Sequence, residues 1–362
     1  TRKESSAASD VYKRQVFTWY ASRVTGNKVR GMKSASIYDV AREAAVSAQT
    51  VSRVVRGHQN VSPTTRERVL KAISDLGYKP NRAARALRTG SYGVIGLLTQ
   101  EIRRTGEAHT SNGVFDRARQ LGYSVSLVQV ENPHTSQVHR AMSLLSQEDI
   151  DGLVIVQAGD ADAEQLALPT NLPVASSDSN LVDVYPSASA DQTGGVRAAM
   201  RHLLDLGHRT VYHVSGPDHS RSARVREEVW RETLAAENRK IPAVIPGDWS
   251  ANAGYEAGKQ LAENPEVTAV FCANDEVALG LIRALHEEQV RVPQDVSVVG
   301  FDGIELSEFS FPPLTTVKQD FYAAGVEMVN LIDRQLKGET NHLHMTIPTE
   351  LIVRATTAPP HR

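Results

Sequence analysis

The chain has 362 residues, a formal net charge of −2, 41% hydrophobic residues and 23% charged residues. That length supports two or three domains with ample core, and the composition is ordinary for a globular protein. No apolar run approaches the roughly 20 residues a membrane span needs, and the start lacks the apolar core of a secretory signal; a cytoplasmic protein with no membrane partner is expected. The single cysteine, Cys272, excludes an internal disulfide framework and a multi-cysteine zinc site. Within the apolar run 268–273 it reads as a small buried core residue. No cofactor and no metal are expected.

The charge is unevenly spread. Residues 1–32 carry seven basic and two acidic residues, and Lys33 to Tyr92 carry eleven and four. The remainder is strongly acidic. A basic head on an acidic body predicts that only the head meets a polyanion.

Residues 1–32 show no sustained periodicity and read as a disordered leader of native or non-native origin, with a basic arm on DNA as the alternative. Ser36-Ile-Tyr-Asp39 is a capping-box start for a short helix from Ile37 to Ala44. A second short helix opens on Ser47 as N-cap, with Val51, Val54 and Val55 on one apolar side and Ala48, Gln49, Ser52 and Arg53 facing outward. Two short helices joined by a tight turn make a helix-turn-helix, whose second helix enters a DNA major groove. Ser62 and Pro63 then start a helix reaching Leu76, with Val69, Leu70, Ile73 and Leu76 apolar and Gly77 as its stop. The eight residues from Asn81 to Arg88 are too few to hold a helix alone in water, which predicts order only on DNA.

From Tyr92 the pattern changes to strands alternating with amphipathic helices. Strands are predicted at 94–98, 124–130, 153–156, 174–177, 210–214, 270–273 and 296–301, and helices at 193–206, 223–237, 251–263 and 276–287. This is the pattern of doubly wound parallel α/β sheets, and its length suggests two lobes with a cleft. The predicted fold is an all-α helix-turn-helix headpiece plus a two-lobed α/β core. The expected division is a leader to residue 32, a headpiece over 33–80, a hinge helix or linker over 81–91 and a core over 92–362.

Ile37-Tyr-Asp-Val-Ala41, Val46-Ser47, Thr50-Val-Ser-Arg-Val-Val55, Asn81-Arg-Ala-Ala-Arg-Ala-Leu87, Ala273-Asn-Asp-Glu-Val-Ala-Leu-Gly280 and Val298-Val-Gly-Phe-Asp302 resemble the lactose-repressor (LacI/GalR) family of transcription regulators. The motifs run in order over nearly the whole chain. Gly247-Asp-Trp-Ser-Ala251 and 313–321 lie nearer to the family's lactose-type members than to its purine or ribose regulators. The resemblance implies a homodimer with a DNA-binding headpiece, a hinge helix and a core similar to periplasmic sugar-binding proteins. Three departures stand out. Ala45 replaces the usual Gly of the helix-turn-helix turn, Val229 replaces the Gly after the sugar-binding arginine, and no C-terminal tetramerisation helix follows.

By resemblance, Ala48, Gln49 and Arg53 read bases in the major groove, while Tyr38, Ser47, Thr50 and Ser52 contact phosphates. A merely solvated helix face is the bland alternative. Leu87 would wedge into the minor groove, flanked on the backbone by Asn81, Arg82 and Arg85; packing of Leu87 on the core is its alternative. Two headpieces require a pseudo-palindromic operator.

Asp178, Asn274, Asp275 and Asp302 follow predicted strands, at the ends that face the crevice in open α/β sheets. Each alone reads as a helix N-cap. The family pattern makes Asp178, Arg226, Trp249, Asn274, Asp302, Gln319 and Phe321 a sugar pocket, with Trp249 and Phe321 against a pyranose face. This favours a galactoside inducer that releases the operator, with a corepressor or a different sugar as the alternative. Ala190 and the loop 100–111 differ from the lactose-type pattern, so the second half of the ligand is expected to differ. A periplasmic transport receptor would lack the basic head. A glycosidase using Asp178 and Asp302 is disfavoured, since Arg226 is expected to keep a neighbouring carboxylate ionised.

Overall fold

The computed structural model describes residues 35–55, 60–78, 90–130, 145, 149–156, 168–177, 179–339 and 343–361. They fall into two compact units, the first within residues 1–85 and the second from residue 86 onward. The predicted hinge residues Asn81, Arg82, Arg85 and Leu87, the leader and Asp178 lie outside the described residues.

Among the described residues the first unit holds three helices: α1 (Ile37–Glu43), α2 (Ala48–Val55) and α3 (Pro63–Asp75). The capping box forms as predicted, with the Asp39 amide donating to Ser36 Oγ and the Ser36 amide donating to Asp39 Oδ2. At the other end, Gly77 at φ 59° closes α3: its amide donates to the Ser74 carbonyl, and the Tyr78 amide reaches Ile73. That pair of bonds is a Schellman stop. The core is Val40, Ala41, Ala44, Val51, Val54, Val69 and Ala72. Three predicted core residues are instead exposed, namely Val55, Leu70 and Leu76. Val55 and Leu70 lie a residue off the buried row, because so small a bundle covers only one narrow stripe of each helix, and Leu76 is the C-cap at the helix's exposed end.

The second unit contains two sheets. In chain order its elements are β1 (Val94–Thr99), α4 (Thr105–Gln120), β2 (Ser124–Gln129), β3 (Gly152–Ile155), β4 (Val174–Ser176), β5 (Ser187–Ala190), α5 (Gln192–Asp205), β6 (Tyr212–Val214), α6 (Arg221–Ala236), α7 (Ala251–Ala262), β7 (Ala269–Cys272), α8 (Asp275–Glu287), β8 (Ser297–Asp302), α9 (Glu305–Phe309), β9 (Thr315–Lys318), α10 (Phe321–Leu336), β10 (His344–Ile347) and β11 (Glu350–Ile352). The N-terminal lobe holds the sheet β10-β5-β4-β3-β1-β2, paired in parallel throughout. The C-terminal lobe holds β11-β9-β8-β7-β6, parallel except for the edge pair β11–β9.

Each sheet is covered on both faces. Ile95 and Leu97 of β1 join Met328 and Ile332 of α10 on one side, while Leu98 joins Leu153 and Leu181 on the other. In the second lobe α7 and α8 cover one face, with Leu261, Leu281 and Leu285; α5 and α6 cover the other, with Met200, Leu203 and Trp230. Continuous burial along β1 and β7 fits parallel strands packed on both faces.

The seven predicted strands form, within two residues at each end. Of the four further strands, β9 has the β-branched run Thr315-Thr-Val317, whereas the other three carry no clear signal. Ser187–Ala190 is Ser/Ala alone, with no β-branched or aromatic residue, and β10 and β11 are short edges. The chain passes between lobes three times: after β5, after β9 and after β10. The first two crossings deliver Gln192, Gln319 and Phe321 to the cleft.

Candidate functional site

One cavity of about 320 Å³ lies between the lobes, lined from both. Arg226, Trp249, Asn274, Asp302, Gln319 and Phe321 all line it, three of them from α6, β8 and α10 and three from the connections beside α7, α8 and β9. Asp178 is not described; its predecessor Ser177 lines the same cavity.

Arg226 occupies the inner face of α6 with Ala223, Val229, Trp230 and Leu234, and it is 3% exposed. A guanidinium is buried at that depth only when its donors are met. Nε donates to Gln192 Oε1 at 2.8 Å, Nη1 donates to the Ala273 carbonyl, and Nη2 lies 3.3 Å from Asp302 Oδ1. Its carbon sits 3.8 Å from the Phe301 ring centroid and 5.3 Å from that of Trp249, so the charge is also held by aromatic faces.

Gln192 continues the network. Its Nε2 donates to Gln319 Oε1 at 3.0 Å, and Gln319 Nε2 donates to Asp302 Oδ1 at 2.6 Å. Arg226, Gln192, Gln319 and Asp302 therefore close a ring of polar contacts on the cavity wall. Gln192 was not legible as a site residue; the available signal was its place directly after the helix cap Asp191.

Two wall residues hold left-handed backbone, Trp249 at φ 71° and Asp302 at φ 109°. Such conformations cost about 1–3 kcal/mol each for a residue with a Cβ, and they persist where surrounding structure imposes them. The Trp249 ring lies flat against Gly216, where a Cβ would stand 2.6 Å from it. Phe321 lies against Gly106 in the same way, at 2.8 Å. Both glycines are therefore seats for aromatic rings.

Burial pushes the Asp302 carboxyl up to about 7, Arg226 pulls the other way, and Asp275 and Glu276 add to the rise. This corrects the expectation that Arg226 alone would keep it firmly ionised: desolvation outweighs one cation. Asn274 caps α8 through Val277 and donates to the Trp249 carbonyl and to Glu276 Oε2. Asp275, which follows the same strand, turns away from the cavity. Its carboxyl accepts from the Ile304 amide and from the Ser307 and Thr316 hydroxyls inside the lobe. The segment 100–111, expected as a loop, is helical from Thr105 onward, and Arg104, Thr105, Gly106 and Glu107 line the cavity. Ala190 lines it too.

In the first unit, the predicted DNA-facing residues lie on α1 and α2. Tyr38, Ser47, Gln49 and Arg53 are exposed, and Thr50 and Ser52 are half-buried. Arg53 has no ion-pair partner among the described residues. Ser47 Oγ accepts from the Thr50 amide, which makes it the cap of α2. Ala48 is half-buried against the helical core rather than fully outward. A free cation and an amide at adjacent turns of an uncovered helix suit base edges. No described helix is long and apolar enough to cross a membrane.

Residues 36–81 match the family described as bacterial regulatory proteins, lacI family, and residues 200–357 match a periplasmic binding protein-like domain. The chain is 36% identical to the lactose operon repressor of Escherichia coli (strain K12), covering 91% of this chain and 92% of that one. It is 31% identical to catabolite control protein A of Priestia megaterium, over 84% and 93% of the two chains. A crystal structure of the lac repressor dimer bound to operator and the anti-inducer ONPF superposes with a TM-score of 0.79 at 35% identity, over 90% of this chain and 100% of that one. The chain belongs to the lacI family of bacterial regulatory proteins, which are DNA-binding, ligand-regulated transcriptional regulators.

Proposed function

We propose that this chain is a transcriptional repressor that binds a pseudo-palindromic operator as a homodimer and is released by a galactoside-type sugar in the interlobe cavity. The observation that carries the ligand reading is the polar ring of Arg226, Gln192, Gln319 and Asp302 beside Trp249. Directed donors and acceptors beside an aromatic face suit vicinal hydroxyls on a ring that has one apolar side. The likeness to the lactose operon repressor supports the galactoside and supports release rather than recruitment.

In this reading Gln49 and Arg53 choose the sequence, with Ala48 toward a thymine methyl, while Tyr38, Ser47, Thr50 and Ser52 set the register on phosphates. Asn81, Arg82, Arg85 and Leu87 form a hinge that wedges open the operator centre. Asp178 completes the sugar pocket. The cavity takes its ligand from both lobes, so a bound sugar favours one lobe arrangement over another. By reciprocity, operator and sugar must weaken each other by the same factor. The protein is not a catalyst.

The test selects a pseudo-palindromic site from random DNA with the whole chain and then measures its retention on gels with and without galactosides. The expected result is loss of the complex as sugar is added. Tighter binding with sugar would reject induction in favour of corepression, and hydrolysis of a nitrophenyl galactoside by pure protein would reject the non-catalytic assignment.

A further inference from the structure

We infer that Asp151 is a positioning residue for operator binding: its carboxyl fixes the direction in which the chain from the headpiece enters the core, and with it the half-site spacing that the dimer accepts. The inference rests on the reading above of a homodimer on a two-fold site.

Asp151 is 8% exposed and stands directly before β3. Its side chain gathers four donors from consecutive residues that lie 57 to 60 positions earlier. The Tyr92 amide donates to Oδ1 at 2.7 Å. The Gly93 amide, the Ser91 hydroxyl and the Val94 amide donate to Oδ2 at 2.6, 2.9 and 3.2 Å. The Asp151 amide returns a bond to the Val94 carbonyl at 2.8 Å. A run of amides turned toward one anion is a backbone nest, which needs a left-handed residue, and Gly93 at φ 74° supplies it. Hydrogen bonds to a carboxylate are among the strong ones, and four of them leave the entering chain one direction.

The place of this clamp in the chain gives it a role beyond closing a strand end. A Cβ added at Gly90 would meet nothing within 4 Å, whereas Ser91 to Gly93 are half-buried and Val94 is buried. Among the described residues that follow the headpiece, the first bonds to the core are those to Asp151. β1 starts at Val94 and pairs with β3, Ile95 opposite Gly152, in the interior of the N-terminal lobe's sheet. The entering chain is thereby tied to two inner strands at once. With the hinge ordered on the operator as proposed above, this joint is the remaining freedom between headpiece and core. A swivelling joint would let two headpieces take many separations, and a clamped one selects a single separation.

Fluorescence anisotropy of the whole chain tests this. The probes are the selected operator, a single half-site, and operators with one or two base pairs inserted at the centre. Each inserted pair moves the half-sites about 3.4 Å apart and turns one about the helix axis. The wild type is expected to lose about tenfold or more per inserted pair. Asp151→Asn replaces an acceptor oxygen with a donor that opposes the amides. It is expected to cut that loss to about threefold, to weaken the selected operator about tenfold, and to leave half-site affinity and the dimer in sedimentation unchanged. Gly93→Ala, which opens the nest and keeps the carboxyl, is expected to act in the same direction. A wild-type spacing profile in the variants overturns the inference and leaves the dimeric reading standing, as does a wild type indifferent to spacing. A wild type that holds a half-site as tightly as the full site overturns both. If neither variant remains a folded dimer, hydrogen exchange on the wild type decides: Tyr92 and Gly93 amides protected like that of Ile95 support the clamp, and free exchange overturns it.

Discussion

His213 lies fully inside the C-terminal lobe, stacked on Phe271 at 5.0 Å and tilted against Trp230. Its Nδ1 meets the Phe271 carbonyl at 2.9 Å, and Nε2 has no partner among the described residues. Burial pushes the imidazole down to about 4, the carbonyl bond opposes this, and Arg226 and Arg231 add to the fall. The fold keeps the ring neutral while the unfolded chain takes up a proton near pH 6.5. The contribution is therefore complete above pH 6.5 and lost as the pH drops toward 4, about 3 kcal/mol in all. Asp302 acts in the opposite sense: with its folded pKa raised to about 7, the fold holds a proton that the unfolded chain has shed, so stability falls as the pH rises from about 4 to 7. Comparing two chains that both keep Asp302 isolates the histidine. Urea melts from pH 7 to 4 should show His213→Phe losing about 3 kcal/mol less than the wild type, and parallel curves would reject the neutral buried ring. Nothing in the Thr210–Val214 strand pattern distinguishes His213 as an interior group. The pocket residues were legible to different degrees for a similar reason. Trp249 and Asn274 belong to recognisable motifs, whereas Gln192 and Glu107 are ordinary helix-start residues until a partner lobe faces them.

At the scale of elements, the turn between α1 and α2 shows what a local departure costs. Ala45 stands at φ 52°, the left-handed region that glycine enters without a Cβ penalty. The Val46 amide reaches back to the Ala41 carbonyl and the Ala45 amide to Arg42, which fixes the turn geometry whatever residue occupies it. The turn thus demands the conformation that the missing glycine would supply. Ala45→Gly should stabilise the three-helix unit by about 1 kcal/mol, raising protection of the Val51 and Val54 amides about fivefold in hydrogen exchange on the whole chain. Unchanged protection would mean that the glycine's extra freedom in the unfolded chain offsets the relief of strain. Elsewhere a motif's glycine has a reason that only packing shows. A Cβ on Gly280 would stand 1.8 Å from the Ala251 carbonyl, and one on Gly254 2.0 Å from that of Val277. Helices α7 and α8 can touch backbone to backbone only because both are glycine.

At the scale of the whole molecule, the C-terminal lobe carries an apolar face that no other described residue covers. Leu306, Phe309 and Val353 are exposed, and Phe311 is 95% exposed. The Ala355 amide donates to the Pro313 carbonyl, so the strand end bearing Val353 adjoins the turn bearing Phe311. Exposed aromatic residues grouped this way mark an association surface. In the proposed homodimer this face is a contact, and joining two headpieces multiplies their hold on a two-fold site. Phe311→Glu should weaken the dimer tenfold or more in sedimentation and lower operator affinity with it. A wild-type monomer, or a variant dimer of unchanged strength, would remove this face from the interface.

The sequence by itself determined the helix-turn-helix, the alternation of strand and helix from Tyr92 and most of the cavity-lining residues singled out for the site. Those features depend on neighbours a few positions apart: caps, turn glycines, apolar periods and short motifs. It did not determine the Ser/Ala strand β5, the antiparallel edge β11, the three lobe crossings or the cavity wall that α4 supplies. A strand of small residues forms because its neighbours on both sides bury it, not because of its own propensity. The crossings depend on which strands pair across long stretches of chain, and the cavity exists only where residues such as Arg226, Gln319 and Glu107 are brought face to face. Tertiary structure alone decided that burial raises the Asp302 carboxyl and that Asp275, which also follows a strand, serves the interior of the lobe. Burial and partner geometry set both roles, and neither can be read from the residue's position in the chain.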